Sequence, residues 1–167
     1  MFRRIAAAMT AVLALGACHP KAQPTSAASA DANATFMANN AKQPGVVTLP
    51  DGLQYKIVAS GPAQGAKPRV QDEVKVNYEG SLATGSQAIF DSSFKRGEPA
   101  TFGLDGIIPG WTEVLELMRP GDEWLVWLPP TLGYGGDDHG PIPGNSILKF
   151  RIQLLGVLPH DAPPAQG

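Results

Sequence analysis

One cysteine stands among 167 residues, so no disulfide can close within the chain. Histidine is nearly as scarce, at three residues, and Asp137-Asp138-His139 has no second His or Cys cluster near it to complete a metal site. No glycine-rich phosphate loop occurs, and Ser92 and Ser93 lack a His partner in any motif that nucleophilic hydrolysis would need. Basic charge is not in excess: 13 Lys and Arg face 15 Asp and Glu, with no basic cluster, which gives little electrostatic reason to bind nucleic acid. The apolar run Ile5 to Leu15 is too short to span a bilayer as a permanent helix. These absences argue against a disulfide scaffold, a metalloenzyme, a nucleotide hydrolase and a nucleic-acid binder. Neither a metal nor a cofactor is expected.

What is present begins with processing signals. Arg3 and Arg4 precede the apolar run, and Leu15-Gly16-Ala17-Cys18 closes it, the pattern of a secretory signal over residues 1–17. Leu-Gly-Ala-Cys resembles the bacterial lipobox, in which cleavage before the cysteine exposes it for acylation. The other reading is a plain signal cleaved near Ala17, with Cys18 incidental. Removal of residues 1–17 takes Arg3 and Arg4 with it and leaves 11 basic against 15 acidic residues, a formal charge of −4. From residue 18 to 45 the chain is rich in Ala, Ser, Thr, Asn, Gln and Pro and reads as a flexible tether with a reach of roughly 30 Å. A helix over Ala30–Ala41 is conceivable, yet Phe36 and Met37 alone do not make a packing face.

From Val46 the pattern changes. Leu53, Tyr55 and Ile57 alternate with polar residues, and Val74 to Glu79 alternates more cleanly. Glu123 to Leu128 is almost wholly apolar, which suits a strand covered on both faces. Leu148, Phe150, Ile152 and Leu154 share one side of a last strand, opposite Lys149, Arg151 and Gln153. Short strands divided by Gly/Pro clusters predict an antiparallel sheet. One helix interrupts them: Trp111, Val114, Leu115 and Met118 form a single apolar stripe between Pro109-Gly110 and Pro120-Gly121. One short helix covers only part of a five- or six-stranded sheet, so an α+β half-barrel curved around that helix is expected over residues 46–158, with a disordered tail at 159–167.

Two stretches concentrate unusual chemistry. Phe90-Asp91-Ser92-Ser93 continues through Arg96-Gly97-Glu98-Pro99-Ala100-Thr101-Phe102 to Ile107-Ile108-Pro109-Gly110-Trp111, placing a carboxylate among apolar and aromatic residues. That suits a site which binds an apolar group and changes its shape without covalent chemistry. Pro129 to Asn145 is a long connection between two strong strands, a length usually reserved for functional loops. Taken singly, Trp111 on its stripe reads as core, Asp91 as a turn or cap residue, and Tyr134 as a loop aromatic.

Together with Tyr78-Glu79-Gly80, Tyr134-Gly135 and Leu148/Phe150, these blocks resemble the FKBP-type peptidyl-prolyl cis-trans isomerases, in particular the bacterial macrophage-infectivity-potentiator branch, from about Asp51 to Leu158. The resemblance implies a proline pocket floored by Trp111, walled by Tyr78, Phe90, Ile107, Ile108 and Phe150, with Tyr134 and Ile142 at the rim. It makes Asp91 the pocket carboxylate, catalytic together with Tyr134, with Arg96 its neighbour and Phe102 a core aromatic behind the pocket. It also implies X–Pro segments of exported polypeptides as substrates and macrolides as ligands. A chaperone-like module holding Pro-containing segments with little turnover is the alternative. The chain departs from the family in a hairpin about two residues longer, at 83–89, and a loop after Tyr134 about one residue shorter. A monomer is expected, in the periplasm, held to a membrane by lipid on Cys18. His19 lacks the Asp that often retains lipoproteins at the inner membrane, which favours the outer one.

Overall fold

A computed structural model describes residues 26–161. The signal at 1–17, the lipidation site Cys18 and tail residues 162–167 lie outside the described residues. In chain order the elements are α1 (Ser26–Asn40), β1 (Val46–Thr48), β2 (Gln54–Ala59), β3 (Glu73–Leu82), β4 (Ile89–Ser92), α2 (Ser93–Arg96), β5 (Ala100–Gly103), α3 (Pro109–Leu117), β6 (Glu123–Leu128) and β7 (Leu148–Leu158). The strands form one antiparallel sheet in the order β1-β2-β6-β7-β3-β4, with β5 also pairing to β3. The sheet thus has seven strands rather than five or six, because the short segments β1, β4 and β5 each pair over three or four residues.

Alternation sets the inner face. β3 buries Val74, Val76 and Tyr78 while Glu73 and Lys75 stay exposed, and β7 buries Leu148, Phe150, Ile152 and Leu154 beside them. Against this face lies α3. Pro109 occupies its first turn, where a missing N–H costs nothing, and its stripe of Trp111, Val114, Leu115 and Met118 is buried as expected. The Thr112 hydroxyl donates to the Leu104 carbonyl at 2.7 Å and ties the helix to the 3-10 turn Leu104–Gly106. Residues 107 and 108, between that turn and the helix, are thereby held at one end of the core.

The tether expected from residues 18 to 45 is instead, over Ser26–Asn40, helix α1, and it is docked. Phe36 and Met37 pack on a second cluster of Ala83, Trp127 and Ile147, on the face of the sheet away from α3. Polar contacts do much of the remaining work. Asn40 Nδ2 donates to Gln54 Oε1 at 2.8 Å, and Gln54, itself buried, donates from Nε2 to the Met37 carbonyl at 2.9 Å. A third contact runs from Asn33 Nδ2 to the Asn145 carbonyl at 2.7 Å. The apolar strand β6 is therefore covered on both faces, with Trp124, Val126 and Leu128 in the main core and Trp127 under α1.

Candidate functional site

At the end of the core where α3 begins, a cavity of about 300 Å³ opens to solvent. Trp111, 4% exposed, forms its floor. The Trp111 ring meets Tyr78 at 5.1 Å and 87°, Phe102 at 5.6 Å and 89°, and Phe150 at 5.2 Å and 84° between centroids and planes. Three edge-to-face contacts of this kind fix an indole firmly, since each sets an electropositive edge against a π face. The Trp111 indole N–H is buried with no acceptor among the described residues. Ile107, Ile108 and Gly106 form a further wall, and Tyr134 stands at the mouth, 37% exposed.

Two backbone features make this arrangement possible. Gly80 lies in β3 opposite Phe150 of β7 and Asp91 of β4. A Cβ there would fall 2.6 Å from the Phe90 ring and 2.7 Å from the Phe150 ring, so only glycine lets these two rings meet edge to face, at 5.8 Å and 84°. The second feature is a bulge. Gly80 pairs with Asp91 and Ser81 with Ile89, which leaves Phe90 as an extra residue. In a regular strand Phe90 and Asp91 would point to opposite faces; the bulge turns both onto the cavity.

Asp91 is partnered, not isolated. The Tyr78 hydroxyl donates to one carboxylate oxygen and the Arg96 guanidinium to the other. Arg96 also donates to the Tyr78 oxygen at 3.0 Å and lies 5.5 Å from the Tyr78 ring centroid. Partial burial pushes the Asp91 pKa up, but the hydrogen bonds from Tyr78 and Arg96 outweigh it and leave the carboxyl below its ordinary value. Burial, followed by donation to Asp91, raises the Tyr78 hydroxyl, and burial together with the Asp91 charge raises Tyr134. Asp91 is therefore a carboxylate whose charge Arg96 offsets, a poor base at neutral pH.

The serines that follow are structural. Ser92 caps α2 by accepting the Lys95 N–H at 3.3 Å. Ser93 is fully buried and accepts the Tyr78 N–H at 2.8 Å, which locks the start of α2, and so Arg96, to β3. Sequence reasoning missed this contact, since a buried serine in an apolar block carries no period of its own. It also missed Gly106.

Of the residues expected at the pocket, Tyr78, Phe90, Asp91, Ile107, Ile108, Trp111, Tyr134 and Phe150 line one cavity. Phe102, expected behind the wall, lines the cavity directly. Ile142, expected at the rim, does not line it: the chain reverses through paired bonds between His139 and Ile142, at 2.8 and 3.0 Å, and Ile142 turns into the core at 4% exposure. Exposed His139, expected to be solvated, stacks on Tyr134 with centroids 4.4 Å apart and planes at 9°. Among the described residues no group of three or more His, Cys, Asp or Glu side chains is arranged to hold a metal, and no helix is long and apolar enough to cross a membrane.

The chain is similar to known proteins in sequence and in fold. The family model of the FKBP-type peptidyl-prolyl cis-trans isomerase matches residues 64–155, and that of the domain amino terminal to FKBP-type peptidyl-prolyl isomerase matches residues 3–57. The chain is 46% identical over 130 residues to the peptidyl-prolyl cis-trans isomerase Mip of Coxiella burnetii, covering 77% of this chain and 55% of that protein. It is 48% identical over 123 residues to the outer membrane protein MIP of Legionella longbeachae, covering 73% and 51%. The chain thus spans about half the length of the curated relatives it matches. Among solved structures, the peptidyl-prolyl cis-trans isomerase of Pseudomonas syringae pv. tomato superposes with a TM-score of 0.75 at 34% identity, covering 83% of this chain and 99% of that one. FkpA from Escherichia coli gives 0.73 at 41%, covering 80% and 61%.

Proposed function

The chain belongs to the FKBP-type peptidyl-prolyl cis-trans isomerase family, and on that premise we propose that it accelerates rotation of X–Pro bonds in exported polypeptides by seating the proline ring on Trp111. The observation that carries this reading is the cavity itself: an aromatic floor and walls sized for a small ring, with one charge-balanced carboxylate and no nucleophile–base pair.

An X–Pro bond has a rotation barrier of about 18–20 kcal/mol because resonance gives the C–N link double-bond character. Twisting it breaks that resonance, so the transition state separates less charge than the planar amide. Apolar walls of Phe90, Phe102, Ile107 and Phe150 penalise the planar, more polar form relative to the twisted one. Tyr134 at the mouth supplies a hydroxyl for a flanking carbonyl. Interactions stronger in the twisted state than in the planar one raise the rate, each tenfold needing about 1.4 kcal/mol of preference. Proton transfer is not required. Asp91 acts through its charge and by orienting Tyr78, while Arg96 and Ser93 position that pair.

The test is isomerisation of a short X–Pro peptide by the purified protein, set beside suppression of aggregation of an unfolded protein. Catalysed isomerisation supports the enzyme. Aggregation suppression without turnover supports a chaperone-like binding module instead. A macrolide that seats in the same cavity is expected to inhibit the isomerisation competitively.

For location, the name of the Legionella relative places that protein in the outer membrane, and the basic start, apolar run and Leu15-Gly16-Ala17-Cys18 support an envelope lipoprotein. In this reading residues 1–17 are removed, Cys18 carries lipid, and a monomeric domain from about Val46 faces the periplasm. Cys18→Ser is expected to abolish lipid labelling. Mass spectrometry that finds an unmodified mature N-terminus rejects the anchor, and sedimentation of the protein reads the monomer.

A further inference from the structure

Beside the apolar cavity lies a wider hollow of about 750 Å³, built where three segments meet: α1, the β3–β4 hairpin and the long loop before β7. No residue lines both spaces, but two segments border each of them. Tyr134 lines the cavity and Gly136, two residues on, lines the hollow, within about 8 Å at ~3.8 Å per Cα step. Across from them Phe90 lines the cavity, while Leu82, whose N–H bonds the Ala88 carbonyl in the same hairpin, lines the hollow.

Their chemistry differs. Where the cavity is aromatic, the hollow presents the bare backbone of Gly85, Gly136 and Gly144, the hydroxyls of Thr84 and Ser86, and the amide of Asn145. Its acidic side chain, Asp138, already accepts the Gly144 N–H at 2.8 Å. With Ala32, Leu82 and Pro143 between these polar groups, such a surface offers donors and acceptors without strong charge, which suits a peptide main chain. The hollow is also held open. A Cβ on Gly144 would fall 2.0 Å from the Gly136 carbonyl oxygen, so the two arms of the loop touch backbone to backbone. Asn145, in the left-handed region at φ 59°, donates its N–H to the Gly135 carbonyl at 2.8 Å and accepts Asn33 Nδ2 from α1. Through that relay α1 braces the residue next to Tyr134.

We propose that this hollow is a subsite for the main chain of the polypeptide segment flanking the bound proline, formed jointly by α1, the lengthened hairpin and the loop. The proposal rests on the isomerase reading and extends its substrate from an X–Pro unit to an extended stretch of unfolded chain. At ~3.3 Å per residue, two or three residues beyond the proline reach the hollow. Main-chain bonding makes the subsite tolerant of sequence, as suits a protein that meets many clients.

The experiment uses Ala32→Arg on α1 and Ser86→Trp on the hairpin, which fill the hollow from opposite sides and leave the aromatic cavity untouched. Two substrates are compared: a tetrapeptide with one Ala–Pro bond, and a peptide of about ten residues with the same bond at its centre, labelled for fluorescence anisotropy. The wild type is expected to bind and turn over the longer peptide with the lower KM. Both variants should keep tetrapeptide kcat/KM within about twofold and weaken binding of the long peptide by about tenfold, or 1.4 kcal/mol. Equal treatment of both peptides by the wild type, or equal binding of the long peptide by wild type and variants, overturns the subsite. Long-peptide binding that the variants weaken, without turnover of either peptide, keeps the subsite and overturns the isomerase reading instead.

Discussion

On the face of the sheet toward α3, one continuous cluster runs from Leu53 through Trp111 and Phe150 to Leu154, whereas the opposite face under α1 buries Ala83, Trp127 and Ile147. The first is an apolar core with rings locked edge to face; the second is a thin apolar contact completed by side-chain amides. The difference assigns separate jobs. The inner face carries the stability and the site together, so a change there moves both. The outer face holds an added element whose loss is expected to leave the sheet intact.

The largest expected effect is on the inner face. Trp111→Ala removes a buried ring from the floor and should cost roughly 3–5 kcal/mol in chemical denaturation, along with the proposed isomerase activity. A cost as small as that of the outer-face variant below would break the comparison. Gly80→Ala forces a Cβ into the Phe90 and Phe150 rings and should cost about 1–3 kcal/mol by overpacking, while distorting the cavity wall. Met37→Ala on α1 loses a half-buried side chain and should cost about 1 kcal/mol. Hydrogen exchange on that variant should show α1 amides opening well before those of β3 and β7.

At the cavity mouth, Tyr134→Phe should weaken peptide binding by about 0.5–1.5 kcal/mol without changing the unfolding midpoint. His139→Ala removes the ring stacked on Tyr134 and should change turnover less than Tyr134→Phe does; a larger effect at His139 reverses their order. The smallest effect concerns Glu113 on α3. Burial, then the neighbouring Asp51 carboxylate, pushes its pKa from 4.5 to about 7, with Glu116 adding to the rise. Stability from this group is fully present below its unfolded value of 4.5 and is lost as pH rises through about 7. Glu113→Gln should therefore raise Tm at alkaline pH and leave it unchanged in acid; a uniform shift at all pH values contradicts the assignment.

The two faces also differ in how far the sequence disclosed them. β3 and β7 alternate strictly and α3 carries one stripe, so the inner face could be read from period alone. α1 could not, because Phe36 and Met37 are too few to mark an amphipathic helix, and its docking depends on Asn33, Asn40 and Gln54, whose partners are distant in sequence. A clue was present in β6, whose apolar residues on both faces require a cover that α3 alone does not provide. At the site, the motif residues converged on one cavity from unlike places: Tyr78 and Phe150 from alternating strands, Phe90 and Asp91 through the bulge, Trp111 from α3, and Ile107, Ile108 and Tyr134 from connections. Ile142 was misplaced because a tight reversal at His139 turns it into the core, and Phe102 because its edge-to-face contacts with Tyr78 and Trp111 bring it to the cavity; neither leaves a period. Ser93 was read only as a serine without a base, although its hydroxyl anchors Tyr78.

The central claim is that the cavity rotates the amide without moving a proton, with Asp91 serving as a fixed charge shared by Tyr78 and Arg96. Measurement of kcat/KM for a short X–Pro peptide across about pH 6 to 9, in the parent and in Asp91→Asn, tests it most directly. The Asp91 carboxyl, held below its ordinary value, stays ionised throughout that range, so the parent should give a flat profile. Asp91→Asn keeps the size of the side chain and should retain substantial activity at reduced efficiency, with Asp91→Val losing more because Tyr78 and Arg96 then lack their shared acceptor. A bell-shaped profile in the parent together with complete loss in Asp91→Asn would contradict the account and point to proton transfer.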